Sequence, residues 1–157
     1  MANPNVLILI PPGKQPRQAM RAAVDLARER GSALIALVVI DPDAAARVTS
    51  RFSEVGFMSE HTENQVSTTI LRELRAQAEA SLRTLAEHAT KDGVAVTPLL
   101  EEGDTEDICR HVIRSHQIGV AVLVAEKRSW LTRFLARSAA VNLPTLAGCE
   151  VRVMEED

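Results

Sequence analysis

Val6-Leu7-Ile8-Leu9-Ile10-Pro11-Pro12-Gly13 is the stretch from which the rest of the chain can be read. Five branched apolar residues in a row, stopped by two prolines and a glycine, are expected of a strand buried on both faces. Strands of that kind belong to parallel sheets covered by helices, so a helix is expected next. It follows at once: Met20, Ala23, Val24 and Ala27 recur at the i, i+3, i+4, i+7 spacing of one helix face, while Arg17, Arg21, Arg28 and Glu29 fall on the others. Gly31 supplies the stop. A second apolar run, Ala33 to Ile40, ends at Asp41-Pro42 and completes a strand-helix-strand unit, whose crossover is expected to be right-handed.

The pattern repeats toward the C-terminus. Between Asp43 and His61 no period persists, and isolated Phe52, Phe57 and Met58 stand among Ser, Thr, Glu and Gly56, which reads as a connection. Val66, Ile70, Leu74, Leu82, Leu85 and Ala89 then mark one stripe of a long helix closed by Lys91-Asp92-Gly93. Val94 to Leu99 reads as a third strand, and Gly103-Asp104-Thr105-Glu106-Asp107 opens a third helix with a capping residue and acids in its first turn. Ile108, Val112 and Ile113 form that helix's inner side. Val120 to Ala125 is a fourth buried strand, followed by an amphipathic segment carrying Leu131, Phe134, Leu135 and Val141 and ended by Pro144. Cys149-Glu150-Val151-Arg152-Val153 alternates strictly, as an edge strand does. The plan is α/β: a doubly wound, five-stranded parallel sheet with helices on both faces and its edge strand at the C-terminus.

Composition agrees with one domain over residues 1–157. At this length a single core can be buried, and 46% apolar content with a net charge of −3 excludes disorder. No apolar run approaches the roughly 18 to 20 residues that cross a bilayer. Met1 to Asn5 carries no basic residue and leads into a short apolar run, unlike a secretory signal, so the cytoplasm is the expected compartment. An acidic balance, 3% aromatics and no tyrosine leave neither the cationic surface nor the stacking platform that nucleic acids require. A domain attached to a transporter or kinase is not expected either, for want of a linker.

In such sheets ligands bind beyond the carboxyl ends of the strands, in the loops after Ile10, Ile40, Leu100 and Ala125. No G-x-G-x-x-G occurs there. Gly13-Lys14 has the ending of a phosphate loop, but Ile8 occupies the first glycine position and Gln15 replaces the metal-binding hydroxyl, so a plain turn is expected. His61, His88, His111 and His116 lack metal spacing and read as solvated helix positions. Cys109 and Cys149 form neither a disulfide framework nor a CxxC pair and read as buried thiols. Cys109 and His111, two apart on a helix, point away from each other, and there is no G-x-S-x-G elbow, so nothing here points to catalysis or to a metal.

The order of elements and several strings resemble the universal stress protein family. Val6 to Ile10 resembles its first strand, Leu37-Val38-Val39-Ile40-Asp41-Pro42 its second, and Gly103-Asp104 the pair before its third helix. The likeness continues through Val120 to Ala125 into Arg128-Ser129-x-Leu131-x-Arg133-x-Leu135-x-x-Ser138 and on to Cys149-x-Val151-x-Val153. Nucleotide-binding members hold ATP with an Asp after the first strand and a G-x-x-G-x9-G-[ST] loop after the fourth. Here Pro11 takes the Asp position, Val124 or Ala125 the first glycine, Lys127 the second and Arg137 the third, and only Ser138 matches. Side chains at the glycine positions close a phosphate cradle built from backbone N–H groups.

The resemblance therefore implies a cytoplasmic stress-response or regulatory protein with a degenerate nucleotide site and no ATP, in the branch typified by universal stress protein A. It also implies a homodimer paired through the terminal strand, with Val151 and Val153 at the interface, and an unknown protein partner. An alternative is a binder of ATP, ADP, AMP or another anion, or a slow nucleotide hydrolase, in which Lys127, Arg128, Arg133 and Arg137 replace the glycine loop. The candidate nucleotide or anion site is then Pro11, Val39, Lys127, Arg128, Arg137 and Ser138. Without glycine breaks, residues from about Ser129 to Asn142 are expected to form one continuous helix.

Overall fold

The computed structural model describes residues 4–43, 60–125 and 145–155. Its strands are β1 (Asn5–Leu9), β2 (Leu34–Ile40), β3 (Val96–Glu102), β4 (Ile118–Ala125), β5 (Thr145–Leu146) and β6 (Cys149–Glu155). Its helices are α1 (Arg17–Arg30), α2 (Glu60–Lys91) and α3 (Thr105–Ser115). The strands lie in the order β3-β2-β1-β4-β6-β5. All pairings are parallel except that of the two-residue β5, which turns back antiparallel on the start of β6. The parallel five-stranded sheet is the one expected from the sequence, with the C-terminal strand outermost of the five; β5 is an addition the hydrophobic pattern did not reveal.

Strand order fixes the placement of the helices. The chain steps from β1 to β2 to β3 in one direction, then returns to β4 and β6 on the other side of β1. Right-handed crossovers put α1 and α2 on one face and α3 on the opposite face. The core is split accordingly. Val6, Ile8 and Ile10 pack with Ala23, Val24 and Ala27 of α1 and Leu82, Leu85 and Ala89 of α2. Leu7 and Leu9 pack with Cys109, Val112 and Ile113 of α3. One strand thus feeds two cores through the two-residue alternation of its side chains, which is why its sequence is apolar at every position.

Some boundaries, and the evenness of one apolar stripe, differ from the sequence reading. β3 runs to Glu102 instead of stopping at Leu99, because its backbone stays in register with β2 from Leu34↔Val96 to Ile40↔Glu102. Glu101 and Glu102 are exposed at this sheet edge, where charge and the proline at 98 discourage further pairing. The second helix begins by Glu60, so His61 lies within it and not in the connection. Its apolar stripe is unevenly buried: Ala78, Leu82, Leu85 and Ala89 are in the core, whereas Val66, Ile70 and Leu74 are only partly covered. At about 1.5 Å per residue, 32 residues span roughly 48 Å, far more than a strand of the sheet can support. The helix expected near residues 129–142 lies outside the described residues.

Candidate functional site

Reversal of chain direction around β1 creates a crevice between the carboxyl ends of β1 and β4, the place where open α/β sheets bind ligands. The β1 side of it is the loop Pro11 to Pro16. Ile10 N–H donates to Leu37 O at 2.8 Å, so the strand's hydrogen bonding continues up to the proline. Pro11 is buried, and its carbonyl accepts from Lys14 N–H at 3.2 Å, closing a turn whose Gly13 has φ +78°. The plain turn expected from the sequence is what forms.

Helix α2 walls this loop. The hydroxyl of Ser81, 2% exposed, donates to Lys14 O at 3.1 Å. Gln77 and Leu74, one and two turns earlier, stand so close to Gly13 that a Cβ there would lie 2.7 Å from Gln77 Oε1. Arg75 on the same stretch forms an ion pair with Glu102 at the end of β3. The hydrophobic pattern of α2 does not announce these contacts, because Gln77 and Ser81 are polar and Gly13 is distant in sequence.

The neighbouring rim is acidic and locally capped. Asp41 Oδ1 accepts from Asp43 N–H at 2.9 Å, and Asp104 Oδ1 accepts from Asp107 N–H at 2.9 Å as the N-cap of α3, as its sequence predicts. Gly103 N–H donates to Ile40 O at 3.0 Å, tying the two strand ends together. Among the described residues no group of three or more His, Cys, Asp or Glu is placed to hold a metal ion.

Of the candidate residues, Pro11 stands at the crevice. Val39 is 2% exposed and packs in the core under α3, so its side chain is part of the fold's interior. Lys127, Arg128, Arg133, Arg137 and Ser138 lie outside the described residues. Val151 is buried and Val153 partly buried on the α3 face of β6, with Glu150 and Arg152 exposed on the other face and paired, Nε to Oε2, at 2.8 Å.

The fold also brings together two residues that sequence spacing kept apart. Cys109 and Cys149 share the α3-side core. Burial pushes the Cys109 thiol up to about 12, helped by Cys149, and burial likewise raises Cys149 to about 11. Both are neutral thiols at physiological pH and poor nucleophiles.

The model of the universal stress protein family matches residues 3–154, nearly the whole chain. This chain belongs to the universal stress protein family. Solved structures of family members share the fold. One is the universal stress protein UspA from Lactobacillus plantarum, at 19% identity and TM-score 0.68, with 98% of this chain and 99% of that one covered. Another, from Burkholderia pseudomallei, has 18% identity and TM-score 0.66, with 96% and 94% covered. A family protein from Arabidopsis thaliana with AMP bound has 11% identity and TM-score 0.62, with 99% and 93% covered. No curated protein sequence matches the chain. In this universal stress protein, no helix of the described residues is long and apolar enough to cross a membrane.

Proposed function

We propose that this universal stress protein is a cytoplasmic regulatory module that acts as a homodimer, through its surface and its dimer state, and whose nucleotide site is degenerate and holds no ATP. On this reading it falls with the branch typified by universal stress protein A. The observation that carries it is Pro11. Buried at the end of β1, it offers neither a carboxylate nor an N–H, at the position where nucleotide-binding relatives present an aspartate to the ligand. The turn that follows is held against α2 by Ser81 and closely flanked by Gln77. The described half of the crevice therefore does not fit an adenine nucleotide held in the family's usual manner. The dimer is supported by β6, the outermost of the five parallel strands, which carries Val151 and Val153 on one face and runs on past its pairing with the two-residue β5, and a strand so placed can pair with a symmetric copy.

A second reading, in which the basic residues after β4 hold an adenine nucleotide, draws on the AMP bound by the Arabidopsis neighbour. Thermal unfolding with and without ATP, ADP and AMP separates the two. A nucleotide at a hundred times its Kd stabilises by about 2.7 kcal/mol, which for a domain of this size raises the midpoint by roughly 5–10 °C. We expect no shift at millimolar nucleotide. A rise of that size with any of the three would overturn the proposal in favour of the second reading.

A further inference from the structure

We infer that the exposed arginine row of α1, formed by Arg17, Arg21 and Arg28, is a docking surface for an acidic peptide segment of a partner protein. The inference rests on the reading above of a module that acts through its surface, and it names the chemistry of the partner.

Arg17, Arg21 and Arg28 stand at i, i+4 and i+11, so at 3.6 residues per turn they fall within about 40° of one another. At 1.5 Å per residue the row is about 16 Å long. All three side chains are exposed. Both α1 and α2 run antiparallel to the strands, with β2 and β3 on the same side of β1. Right-handed winding then turns the margin of α1 beyond Val24 toward α2, and the margin beyond Leu26 toward β4. The arginines follow Val24 around the helix, so their row borders the crease between α1 and α2. Contacts with the β1 loop mark the other wall of that crease. Gln77 approaches Gly13, Ser81 bonds Lys14 O, and Thr84 and His88 continue the line at i+7 and i+11 from Gln77. From Gln77 to the end of the helix this line carries no carboxylate.

Local stability does not account for these charges. Cations in a first turn oppose the helix dipole, yet α1 begins with Arg17, has no acidic residue in that turn and receives no side-chain cap from Pro16. Asp25 pairs with Arg28 at 3.6 Å, but among the described residues no ion pair joins Arg17 or Arg21 to a carboxylate. A chain of net charge −3 thus sets two uncompensated guanidiniums and a third in one line.

The geometry suits carboxylates on an extended chain. Alternate side chains of such a chain recur roughly every 6–7 Å, close to the rise of about 6 Å from Arg17 to Arg21, and guanidinium forks take carboxylates in charge-assisted hydrogen bonds. A polynucleotide fits less well, because the net charge repels it and α1 carries no aromatic side chain to stack a base. A lipid surface would need apolar side chains to enter it, and the exposed neighbours of the row are Gln18 and Glu29.

The test is fluorescence anisotropy with a labelled oligoglutamate of about eight residues, long enough to span the row. Saturable binding is expected in about 0.1 M salt and its loss in 1 M, where the Debye length falls to about 3 Å. Arg17→Glu/Arg21→Glu is expected to weaken binding by about tenfold or more, since two surface pairs become two repulsions. Arg83→Glu/Arg114→Glu, at exposed positions elsewhere on α2 and on α3, changes the net charge equally and should leave binding within about twofold. Glutamate at position 17 complements the helix dipole, so the thermal midpoint of the first variant should not fall. Arg17→Gln/Arg21→Gln, which adds no new charge, should give a smaller loss in the same direction. No saturable binding, or an equal loss in the two Glu variants, would overturn the inference. So would tighter binding of inorganic polyphosphate or phosphatidylserine vesicles to the same row, or a smaller sedimenting particle for Arg17→Glu/Arg21→Glu, which would assign the row to a second copy. None of these outcomes bears on nucleotide binding, which the thermal shift with ATP, ADP and AMP decides separately.

Discussion

Replacing Gly13 with alanine probes the contact that defines the β1 side of the crevice. Gly13 has φ +78°, and an added Cβ would meet Gln77 Oε1 at 2.7 Å and Leu74 Cδ2 at 3.7 Å. Left-handed backbone costs a residue with a Cβ about 1–2 kcal/mol, and the stiffer unfolded chain offsets about 0.4–1 kcal/mol of that. Backbone strain alone therefore predicts a net loss of about 1 kcal/mol. Gly93 provides the control, because its φ is +76° and nothing lies within 4 Å of its added Cβ. At position 13 the Gln77 side chain must move as well. It is exposed, and its Nε2 donates to Glu73 Oε1 at 3.1 Å, an i,i+4 contact of about 0.2–0.5 kcal/mol. The expected total for Gly13→Ala is about 1.5 kcal/mol, or roughly 3–6 °C in the thermal midpoint. Urea unfolding of Gly13→Ala, Gly93→Ala, Gln77→Ala and the Gly13→Ala/Gln77→Ala pair isolates the contact. The excess of Gly13→Ala over Gly93→Ala should disappear once Gln77 is truncated. Equal losses at the two glycines, or an excess that survives Gln77→Ala, would refute the placement of α2 against this loop.

Two further outcomes follow from the burial pattern. Leu85→Ala, at a side chain only 1% exposed, should cost about 2–5 kcal/mol, while Ile70→Ala on the partly covered half of the same helix should cost roughly 1 kcal/mol or less; similar losses in urea unfolding would mean that the core extends further along α2. Stability should hold steady with pH up to about 9 and then fall toward 11–12, because the unfolded thiols ionise near 9.0 while burial holds Cys149 at about 11 and Cys109 at about 12. Between those values the unfolded state binds fewer protons, so each thiol contributes a slope of up to about 1.4 kcal/mol per pH unit. The chain has no tyrosine to titrate in that window, and the Cys109→Ala/Cys149→Ala protein should show a shallower fall. An unchanged slope would show that the thiols are not held neutral by burial.

Amino-acid sequence alone determined the three helices and the five parallel strands of the described residues, and with them the class of the sheet. Val6 to Ile10 and Leu34 to Ile40 are apolar at every position because strands between parallel neighbours are covered on both faces, and that demand is written directly into the residues. The cap at Asp104 was equally legible, since a short carboxylate bonds its own backbone three residues on. Local patterns could not reveal what depends on distant partners. β3 keeps its glutamates in the sheet only because β2 holds its backbone in register, and β5 is too short to show a period.

The site divides along the same line. That a proline follows the first strand is a matter of residue identity and is visible in the string. That Val39 faces a core, that Gln77 and Ser81 of α2 close on Gly13 and Lys14, and that Cys109 and Cys149 meet inside one face were decided by the tertiary structure. So was the short β5, because it depends on where a hairpin folds back on β6. The physical reason is range: propensity, periodicity and capping act over a few residues, while the crossing of the chain from one side of β1 to the other brings together groups that share no local signal.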